Sequence, residues 1–381
     1  MSGNMIIPAE KDTQVCTRCI MDNLSDRTIR FESDGTCNYC NDALKARDLV
    51  YFPNEEGQKR LGSMISRIKK ENEGRKYDCL MGISGGLDSA YVVYLGHKYG
   101  LRVLLLHIDD GFDAGVSKQN IHRISKTYNY DLIIEKADEA QFNDMVRAFI
   151  LAGLPDVALL QDSILFSILY RIAIRHKIKY FLSGFNFSLE CITQSGMDYT
   201  DKVHIKDIHR NFGRVPLDGR LKLFSIFDKR IKYGLFHQIQ SLKPLFYVDF
   251  NAKRALAELS ESCGFQYYGA KHCESILTKF LQLYYLPVKF NMDKRKSHLS
   301  SLIVSGQITR EEALERLALP LYSEAEIAGD IKFVLSKLDI AESEFKSIMK
   351  APPHEHSEYR TSVINKFTGS LLSIRKMIKG Y

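Results

Sequence analysis

A short polar loop between two apolar segments is the best candidate for chemistry in this sequence. It lies within residues 77–91 and reads Ser84-Gly85-Gly86-Leu87-Asp88-Ser89. Two adjacent glycines permit positive φ angles, so successive N–H groups can converge on an anion at the start of a helix. The two serines add hydroxyl donors. The stretch therefore predicts a strand, a phosphate-binding turn and a helix, with a turn that binds nothing as the alternative.

The loop differs from the ordinary P-loop. It lacks the lysine of the pattern GxxxxGK[ST], and its glycines are spaced differently. Its sequence SGGxDS instead resembles the fingerprint of the ATP pyrophosphatase, or PP-loop, family. That resemblance implies cleavage of ATP between the α and β phosphates, with the nucleotide bound by the six loop residues and pyrophosphate left in the loop.

Asp88 is the candidate catalytic residue of this loop. A carboxylate beside a triphosphate acts chiefly through a divalent ion, so we expect Asp88 to bind Mg²⁺ that bridges to the pyrophosphate. The alternative is that Asp88 stabilises the N-terminus of the helix that follows. The two roles are compatible.

The composition is that of an ordinary globular protein. At 381 residues, 45% of them hydrophobic, the chain is long enough for roughly two domains. The formal charge of +7 is spread along the chain without a run of five basic residues, which favours anionic ligands without requiring nucleic acid. No segment approaches the roughly 20 apolar residues of a membrane span, and the N-terminus lacks a signal-peptide pattern. We therefore expect a cytoplasmic protein.

Four cysteines near the N-terminus predict a metal site. They form two CxxC pairs, Cys16 with Cys19 and Cys37 with Cys40. Four thiolates at this spacing are typical of tetrahedral Zn²⁺, whose four positions would all be filled by the protein. We therefore expect structural zinc that stabilises a small module. An iron–sulfur cluster and a redox dithiol are the alternatives.

From residue 77 the chain alternates short apolar runs with helix-compatible segments. Beyond the strand before the loop, strands are expected at 102–108, 131–135 and 178–183, and one helical region is expected to extend from 139 to 176. This alternation predicts an α/β fold with a doubly wound parallel sheet. The loop resemblance makes it the PP-loop, adenine nucleotide alpha hydrolase-like type. In such folds ligands bind at the carboxyl ends of the strands.

We divide the chain into four parts. These are a zinc-binding module (1–50), a linking helix (51–72), the PP-loop domain (73–250) and a helical region that contributes to the substrate site (251–381). Apolar residues at helical spacing, Leu61, Ile65 and Ile68, predict an amphipathic helix within residues 44–72. An aromatic helix in the last part is expected to break at Leu286-Pro287.

Polar residues follow the second and fourth strands. Asp109 follows the second strand, where PP-loop enzymes hold adenosine; a solvated turn is the alternative. Gly184 and Glu190 follow the fourth strand and resemble the GTxNxxE-like loop of amide-forming pyrophosphatases. That resemblance implies that Gly184 belongs to the nucleotide site and that Glu190 helps to hold Mg²⁺. The alternative is a polar loop without a ligand.

Three cations flank the aromatic helix and are candidate catalytic residues: Lys271, Lys294 and Arg295. Cations stabilise the charge that develops on pyrophosphate and bind anionic substrate groups. The alternative for the triplet that continues to Lys296 is an exposed helix start. Three further residues receive no role: His272, His298 and Cys191.

Several motifs together resemble one family of PP-loop enzymes. They are CTRCIMD, CNYC, MGISGGLDSAY, YGAKHCES and DKRKSHLSSLIVSGQITREEALE. They are similar to those of N-acetyl-sugar amidotransferases, the WbpG type of lipopolysaccharide O-antigen biosynthesis. The resemblance implies an ATP-dependent enzyme that adenylates an acetamido group of a UDP-N-acetyl sugar, a diacetamido uronic acid. Ammonia then replaces the oxygen and gives an acetamidino sugar.

The same resemblance implies partners and cofactors. The ammonia would come from a separate glutaminase through a barrel subunit, the two resembling imidazole glycerol phosphate synthase. The cofactors would be ATP, Mg²⁺ and Zn²⁺, and we expect neither a nucleic-acid partner nor a membrane span.

Two other functions compete with this one. A PP-loop enzyme that thiolates tRNA would share the adenylation step and the four-cysteine module, but no basic cluster is visible and no cysteine pair remains to carry sulfur. A non-catalytic zinc protein that binds nucleic acid would need only the cysteine module and basic residues.

Overall fold

The computed structural model describes residues 13–194, 201–269, 271 and 273–362. In that part of the chain the strands are β1 (Cys79–Gly82), β2 (Val103–Asp109), β3 (Asp131–Lys136), β4 (Tyr180–Leu182) and β5 (Gln240–Leu242). They form one parallel sheet in the order β3-β2-β1-β4-β5.

Helices connect and cover the strands. In chain order they are α1 (Asn38–Val50), α2 (Glu55–Glu71), α3 (Leu87–Lys98), α4 (Gly115–Thr127), α5 (Glu139–Leu151), α6 (Leu159–Arg175), α7 (Phe187–Glu190), α8 (Lys202–Phe212), α9 (Ala252–Cys263), α10 (Ile276–Phe280), α11 (Leu286–Phe290), α12 (Lys294–Val304), α13 (Arg310–Ala318), α14 (Glu324–Leu338) and α15 (Glu342–Lys350). Two π-helical segments, Asp228–Phe236 and Leu281–Tyr285, and two 3-10 turns, Pro244–Tyr247 and His356–Glu358, complete the set.

The central strands are buried on both faces. In β1, Leu80 packs into the cluster that contains residues of α5 and α6, whereas Cys79 and Met81 pack into the cluster that contains residues of α2, α3 and α9. This alternation follows from the two-residue period of a strand, and burial on both faces explains the continuous apolar runs. The expected α/β fold with a parallel sheet and a helical C-terminal region is therefore confirmed.

The strand order reverses between β1 and β4. Chain connections lead from β1 outward to β2 and β3 on one side, and through β4 to β5 on the other. The crevice at the carboxyl ends of two such neighbouring strands is the usual ligand site of doubly wound sheets. The loop after β1 and the loop after β4 therefore meet where chemistry is expected.

The expected extents of two helical segments were wrong. Residues 139–176 form α5 and α6, because Gly153, with a φ of +61°, and Pro155 interrupt the helix between them. The amphipathic stretch 44–72 is also two helices, and Pro53 separates α1 from α2. The sequence analysis missed the short strand β5 as well.

The aromatic helix does not break at Leu286-Pro287. A π-helical segment joins α10 to α11, and Pro287 lies in the first turn of α11, where a missing N–H costs little. The run ends instead at Asn291, which has a φ of +56°.

The N-terminal cysteine module packs on both halves of the chain. Its buried residues form a cluster with Phe187 of α7 and Val304 of α12, and Tyr51 stacks on Phe187 with ring centroids 4.9 Å apart. Arg310 of α13 donates to the carbonyl of Cys19 at 3.1 Å. The module is thus fixed by the C-terminal region as well as by the segment that follows it.

Among the residues that the structure describes, no helix is both long enough and apolar enough to cross a membrane.

We predict that Gly57→Ala destabilises the fold. A Cβ at Gly57 would lie 1.7 Å from the carbonyl oxygen of Phe52 and 2.8 Å from that of Tyr247, so the backbone must move. We expect the free energy of unfolding, measured by urea denaturation, to fall by about 2 kcal/mol or more. The matched control is Gly62→Ala in the same helix, where no atom lies within 4 Å. It should raise stability by up to about 1 kcal/mol, and equal effects of the two variants would contradict this packing.

Candidate active site

Gly85 and Gly86 shape the loop after β1. Gly85 has a φ of +78°, and a Cβ there would lie 2.5 Å from the carbonyl oxygen of Ser117 in α4. Gly86 is the N-cap of α3 and has no side chain with which to cap the first turn of that helix. The N–H groups of this turn and the positive end of the helix dipole therefore suit an anion.

The two loop serines hold one another in place. Ser84 Oγ lies 3.2 Å from Ser89 Oγ and accepts a hydrogen bond from the N–H of Gly86 at 3.2 Å. Ser89 Oγ donates to the carbonyl of Gly86 at 3.1 Å. Ser84 remains exposed, so its hydroxyl is available to a ligand in the loop.

Two residues far away in sequence brace the loop, and the sequence analysis missed both. The hydroxyl of Tyr268 accepts from the N–H of Leu87 at 2.9 Å. Asn120 of α4 donates to the carbonyls of Gly85 and Gln266 at 3.3 and 2.8 Å, and accepts from the N–H of Gln266. Asn120 lies in none of the quoted motifs and Tyr268 begins the motif YGAKHCES, but each braces the loop through contacts that are made only in the folded chain.

Three of the predicted site residues meet at the mouth of the loop. The ammonium of Lys271 lies 2.5 Å from Asp88 Oδ2 and 3.1 Å from Glu190 Oε1. The three side chains keep 17% to 21% of their exposure, so they are sheltered but still accessible to a ligand. Asp88 follows β1 and Glu190 follows β4, and the neighbouring strands bring them together.

The charges of this cluster depend on one another. Burial alone would lower the pKa of Lys271, but Asp88 and Glu190 outweigh burial and raise it. Burial raises the pKa of Glu190, and the negative charge of Asp88 adds to this effect while Lys271 opposes it. Lys271 therefore stays charged and balances two carboxylates that would otherwise repel one another.

A third carboxylate, that of Glu274, lies against the loop. Its Oε1 is 3.5 Å from Ser84 Oγ, and it would be 2.7 Å from a Cβ placed on Gly86. Burial raises the pKa of Glu274. Its Oε2 is buried and has no hydrogen-bond partner among the described residues. The sequence analysis quoted Glu274 only as part of a polar turn and gave it no role.

The loop after β4 packs closely against the loop after β1. A Cβ on Gly184 would lie 3.1 Å from the carbonyl carbon of Asp88 and from the backbone nitrogen of Ser89, which is tighter than ordinary contact. Asn186 caps the short helix α7 by accepting from the N–H of Leu189 at 2.8 Å, and its own N–H donates to Glu190 Oε2 at 3.2 Å. Asn186 therefore orients Glu190.

This arrangement fits Mg²⁺ and a nucleotide triphosphate. Mg²⁺ is usually bound by one or two carboxylates together with substrate phosphates. Asp88 and Glu190 already share one cation, and the unpartnered oxygen of Glu274 supplies a further acceptor. The uncapped start of α3 suits the phosphates.

Asp109 lines a separate cavity of about 250 Å³ beside the ends of β2 and β3. Its Oδ1 accepts from the N–H of Gly111 at 3.0 Å, and Lys118 lies 3.9 Å from its Oδ2. Its neighbour Asp110 accepts from Gln161 at 2.7 Å, and burial raises the pKa of Asp110. A nucleoside role for Asp109 stays a prediction.

The structure does not bring Arg295 to the carboxylates. Its guanidinium pairs with Asp293, the N-cap of α12, at 2.8 Å and donates to the carbonyl of Leu319 at 2.8 Å. Lys294, the first residue of α12, carries neither contact. The start of this helix is partly buried, and the alternative of an exposed helix start is therefore wrong.

The residues without an assigned role differ in position. Cys191 is buried, its Sγ lies 3.8 Å from the carbonyl of Ser301, and burial raises its pKa to about 12. Burial, with the charges of Lys271 and Lys294, lowers the pKa of His298 to about 3. His272 lies outside the described residues.

The four N-terminal cysteines come together as expected. All four sulfurs are buried and lie within 4.8 Å of one another. Two cross-pairs, Cys16 with Cys40 and Cys19 with Cys37, have sulfurs 3.7 Å apart. Four converging thiols fit a tetrahedral Zn²⁺ site that leaves no position for substrate. Zinc itself stays a prediction.

Comparison with known proteins supports part of the sequence interpretation. Residues 274–371 match the family model of the LPS biosynthesis protein WbpG-like, C-terminal domain. An uncharacterized protein of Methanocaldococcus jannaschii is 30% identical over 135 residues, which are 35% of this chain and 46% of that protein. The chain thus spans less than half the length of that relative.

Two solved structures match this chain at low sequence identity and low TM-score. The NMN synthetase of Francisella tularensis is 16% identical with a TM-score of 0.29, over 56% of this chain and 94% of that one. The ammonia-dependent NAD synthetase of Campylobacter jejuni is 15% identical with a TM-score of 0.30, over 70% and 99%. We assign no function from either likeness.

We predict one zinc ion per chain, measured by plasma mass spectrometry on the purified protein. Cys37→Ser should remove the zinc and lower the thermal unfolding midpoint, because the module has little core of its own. Cys263→Ser, a buried cysteine of α9, is the control and should keep the zinc. Iron in place of zinc would support the cluster alternative, and the absence of both metals would contradict a metal site.

Proposed function

We propose that this chain is an ATP-dependent amidotransferase that acts on a UDP-linked N-acetyl sugar. It adenylates an acetamido oxygen and replaces that oxygen with ammonia, which gives an acetamidino sugar for lipopolysaccharide O-antigen. In this proposal the sugar is a diacetamido uronic acid. The WbpG-like match over residues 274–371 supports the biosynthetic context.

One observation carries the proposal: Asp88 and Glu190 converge on Lys271 beside an uncapped helix start. A purely structural loop has no need of two carboxylates that must be neutralised by a third side chain. Carboxylates, a cation and free N–H groups are together what a triphosphate and its metal require. Adenylation is therefore the chemistry that this site supports best.

The reaction has two steps. The amide oxygen attacks the α phosphorus of ATP, the bond to the β phosphate breaks, and pyrophosphate leaves into the loop formed by Gly85 and Gly86. Ammonia then adds to the activated carbon, and AMP departs with the former amide oxygen. Overall, the amide, ATP and ammonia react to give the amidine, AMP and pyrophosphate. Adenylation is needed because the amide oxygen alone is a very poor leaving group.

The side chains have distinct roles in this scheme. Asp88 and Glu190 hold Mg²⁺, which neutralises phosphate charge when bound. The N–H groups at the start of α3 and the Ser84 hydroxyl bind the departing pyrophosphate. Lys271, which lies between the two carboxylates, would stabilise the negative charge of the phosphates.

The ammonia belongs to a partner in this proposal. A separate glutaminase and a barrel subunit, resembling imidazole glycerol phosphate synthase, would generate and conduct it. The basis is the family resemblance of the motifs, and free ammonium at high concentration should replace the partner in an assay.

The thiolation alternative is weakened by the cysteines outside the N-terminal cluster. Cys79, Cys191, Cys263 and Cys273 are all buried. Burial raises the pKa of Cys191 and of Cys263, so neither is poised as a thiolate nucleophile. A sulfur carrier requires a reactive, accessible thiol.

We predict that Asp88→Asn lowers AMP formation by at least about 100-fold, because the variant keeps the shape of the side chain but loses the charge that holds the metal. The assay contains ATP, Mg²⁺, ammonium and a UDP-diacetamido uronic acid, and mass spectrometry follows the exchange of oxygen for NH in the sugar. Asp48→Asn is the control, since that side chain is 75% exposed and lies on α1.

Two results would contradict the proposal. Formation of AMP by the wild-type protein without the NH-containing sugar would exclude amidination. Full AMP formation by Asp88→Asn would exclude this site as the place of adenylation.

A further inference from the structure

Three consecutive basic residues begin α12, and their surroundings differ. Arg295 forms an ion pair with Asp293 at 2.8 Å. Lys296 forms an ion pair with the buried carboxylate of Asp22. Lys294 has no ion pair and no hydrogen bond to its ammonium from any described residue. Two of the three cations therefore have structural counter-ions, and the third has none.

The two carboxylates that raise the pKa of Lys294, those of Asp26 and Asp156, have other hydrogen-bond partners. Asp26 accepts hydrogen bonds from Thr28 and from the hydroxyl of Tyr39, each at 2.7 Å. Asp156 Oδ2 lies 2.8 Å from Nε2 of His356. Both carboxylates favour the charged form of Lys294 at a distance, but burial outweighs them and lowers its pKa.

Lys294 lies on the same cleft as the candidate active site. The helix α12 packs against α7, which ends at Glu190, and the N–H of Ile192 donates to Ser301 Oγ of α12 at 3.0 Å. His298 follows Lys294 by one turn of α12, and the charges of Lys271 and Lys294 both lower the pKa of His298. Each of the three is only partly buried, so each retains contact with solvent.

We propose that Lys294 is a binding subsite for an anionic group of the acceptor sugar nucleotide. The group is either a carboxylate on the sugar or the diphosphate, and an ammonium recognises both in the same way. This inference rests on the proposed function, because it assigns one end of the acceptor while Asp88 and Glu190 assign the ATP end.

The stability of a Lys294 variant distinguishes a role in ligand binding from a role in the fold. An ammonium that is partly withdrawn from water without a counter-ion lowers the stability of the folded protein. A lysine that served the fold would be paired, as Lys296 is. Replacing Lys294 with an apolar residue of similar length should therefore leave stability unchanged or raise it, whereas it should weaken binding of the anionic acceptor.

The experiment compares wild type, Lys294→Met and Lys294→Arg by titration calorimetry with two probes. One is UDP-N-acetylglucosamine, which has the diphosphate only, and the other is UDP-N-acetylglucosaminuronic acid, which also has a sugar carboxylate. We expect Lys294→Met to raise the Kd by about 10- to 100-fold and its thermal midpoint to be no lower than that of wild type. Lys294→Arg should retain part of the affinity. Lys70→Met, which removes an exposed charge on α2, should bind like wild type.

The two probes distinguish which anionic group Lys294 binds. A loss confined to the uronic acid assigns the carboxylate, and an equal loss with both probes assigns the diphosphate. Unchanged binding of both probes by Lys294→Met overturns the subsite, as does the absence of binding by wild type. If wild type binds but forms no amidine, the proposed function fails while a loss of binding in Lys294→Met still supports the subsite.

Discussion

The electrostatics of the cleft depend on the repulsion among three carboxylates and on Lys271, the cation that lies between two of them. Asp88, Glu190 and Glu274 gather at one loop, and burial raises the pKa of Glu190 and of Glu274. Lys271 relieves this repulsion by contacting Asp88 and Glu190 together. A triphosphate would add further negative charge to the same place. In the proposed function a divalent cation would offset this charge, and that requirement comes from the carboxylates of the cleft and not from a motif.

Backbone contacts hold these charges in position. The parallel sheet places β1 beside β4, and the absence of a side chain at Gly184 lets the two loops approach closely. The turn that carries Lys271 and Glu274 is fixed to the segment after β2. There the N–H of Ala114 donates to the carbonyl of Glu274 at 2.9 Å, and the N–H of Ile276 to that of Phe112 at 2.7 Å.

The sequence was informative where a residue's role follows from its local pattern. The loop at Gly85, the parallel sheet and the four-cysteine cluster all depend on spacing over a few residues or on periodicity, so their positions could be predicted. Glu274, Tyr268 and Asn120 act through contacts between distant segments. Two of them lie in the motif YGAKHCES, but the motif does not reveal these contacts. Arg295 was predicted as a site residue but is paired with Asp293. The sequence of a basic triplet does not reveal which of its cations already has a counter-ion.

The cysteine module has a consequence for the acceptor side of the cleft. The N–H of Ile20 donates to the hydroxyl of Ser300 at 3.2 Å, Asp22 pairs with Lys296, and Arg310 donates to the carbonyl of Cys19. These contacts hold α12, whose first turn carries Lys294. In the proposed function the predicted zinc takes no part in bond making, but an ion that fixes the cysteine module would also fix α12. Loss of that ion would then weaken acceptor binding before it disturbed the loop proposed to bind ATP.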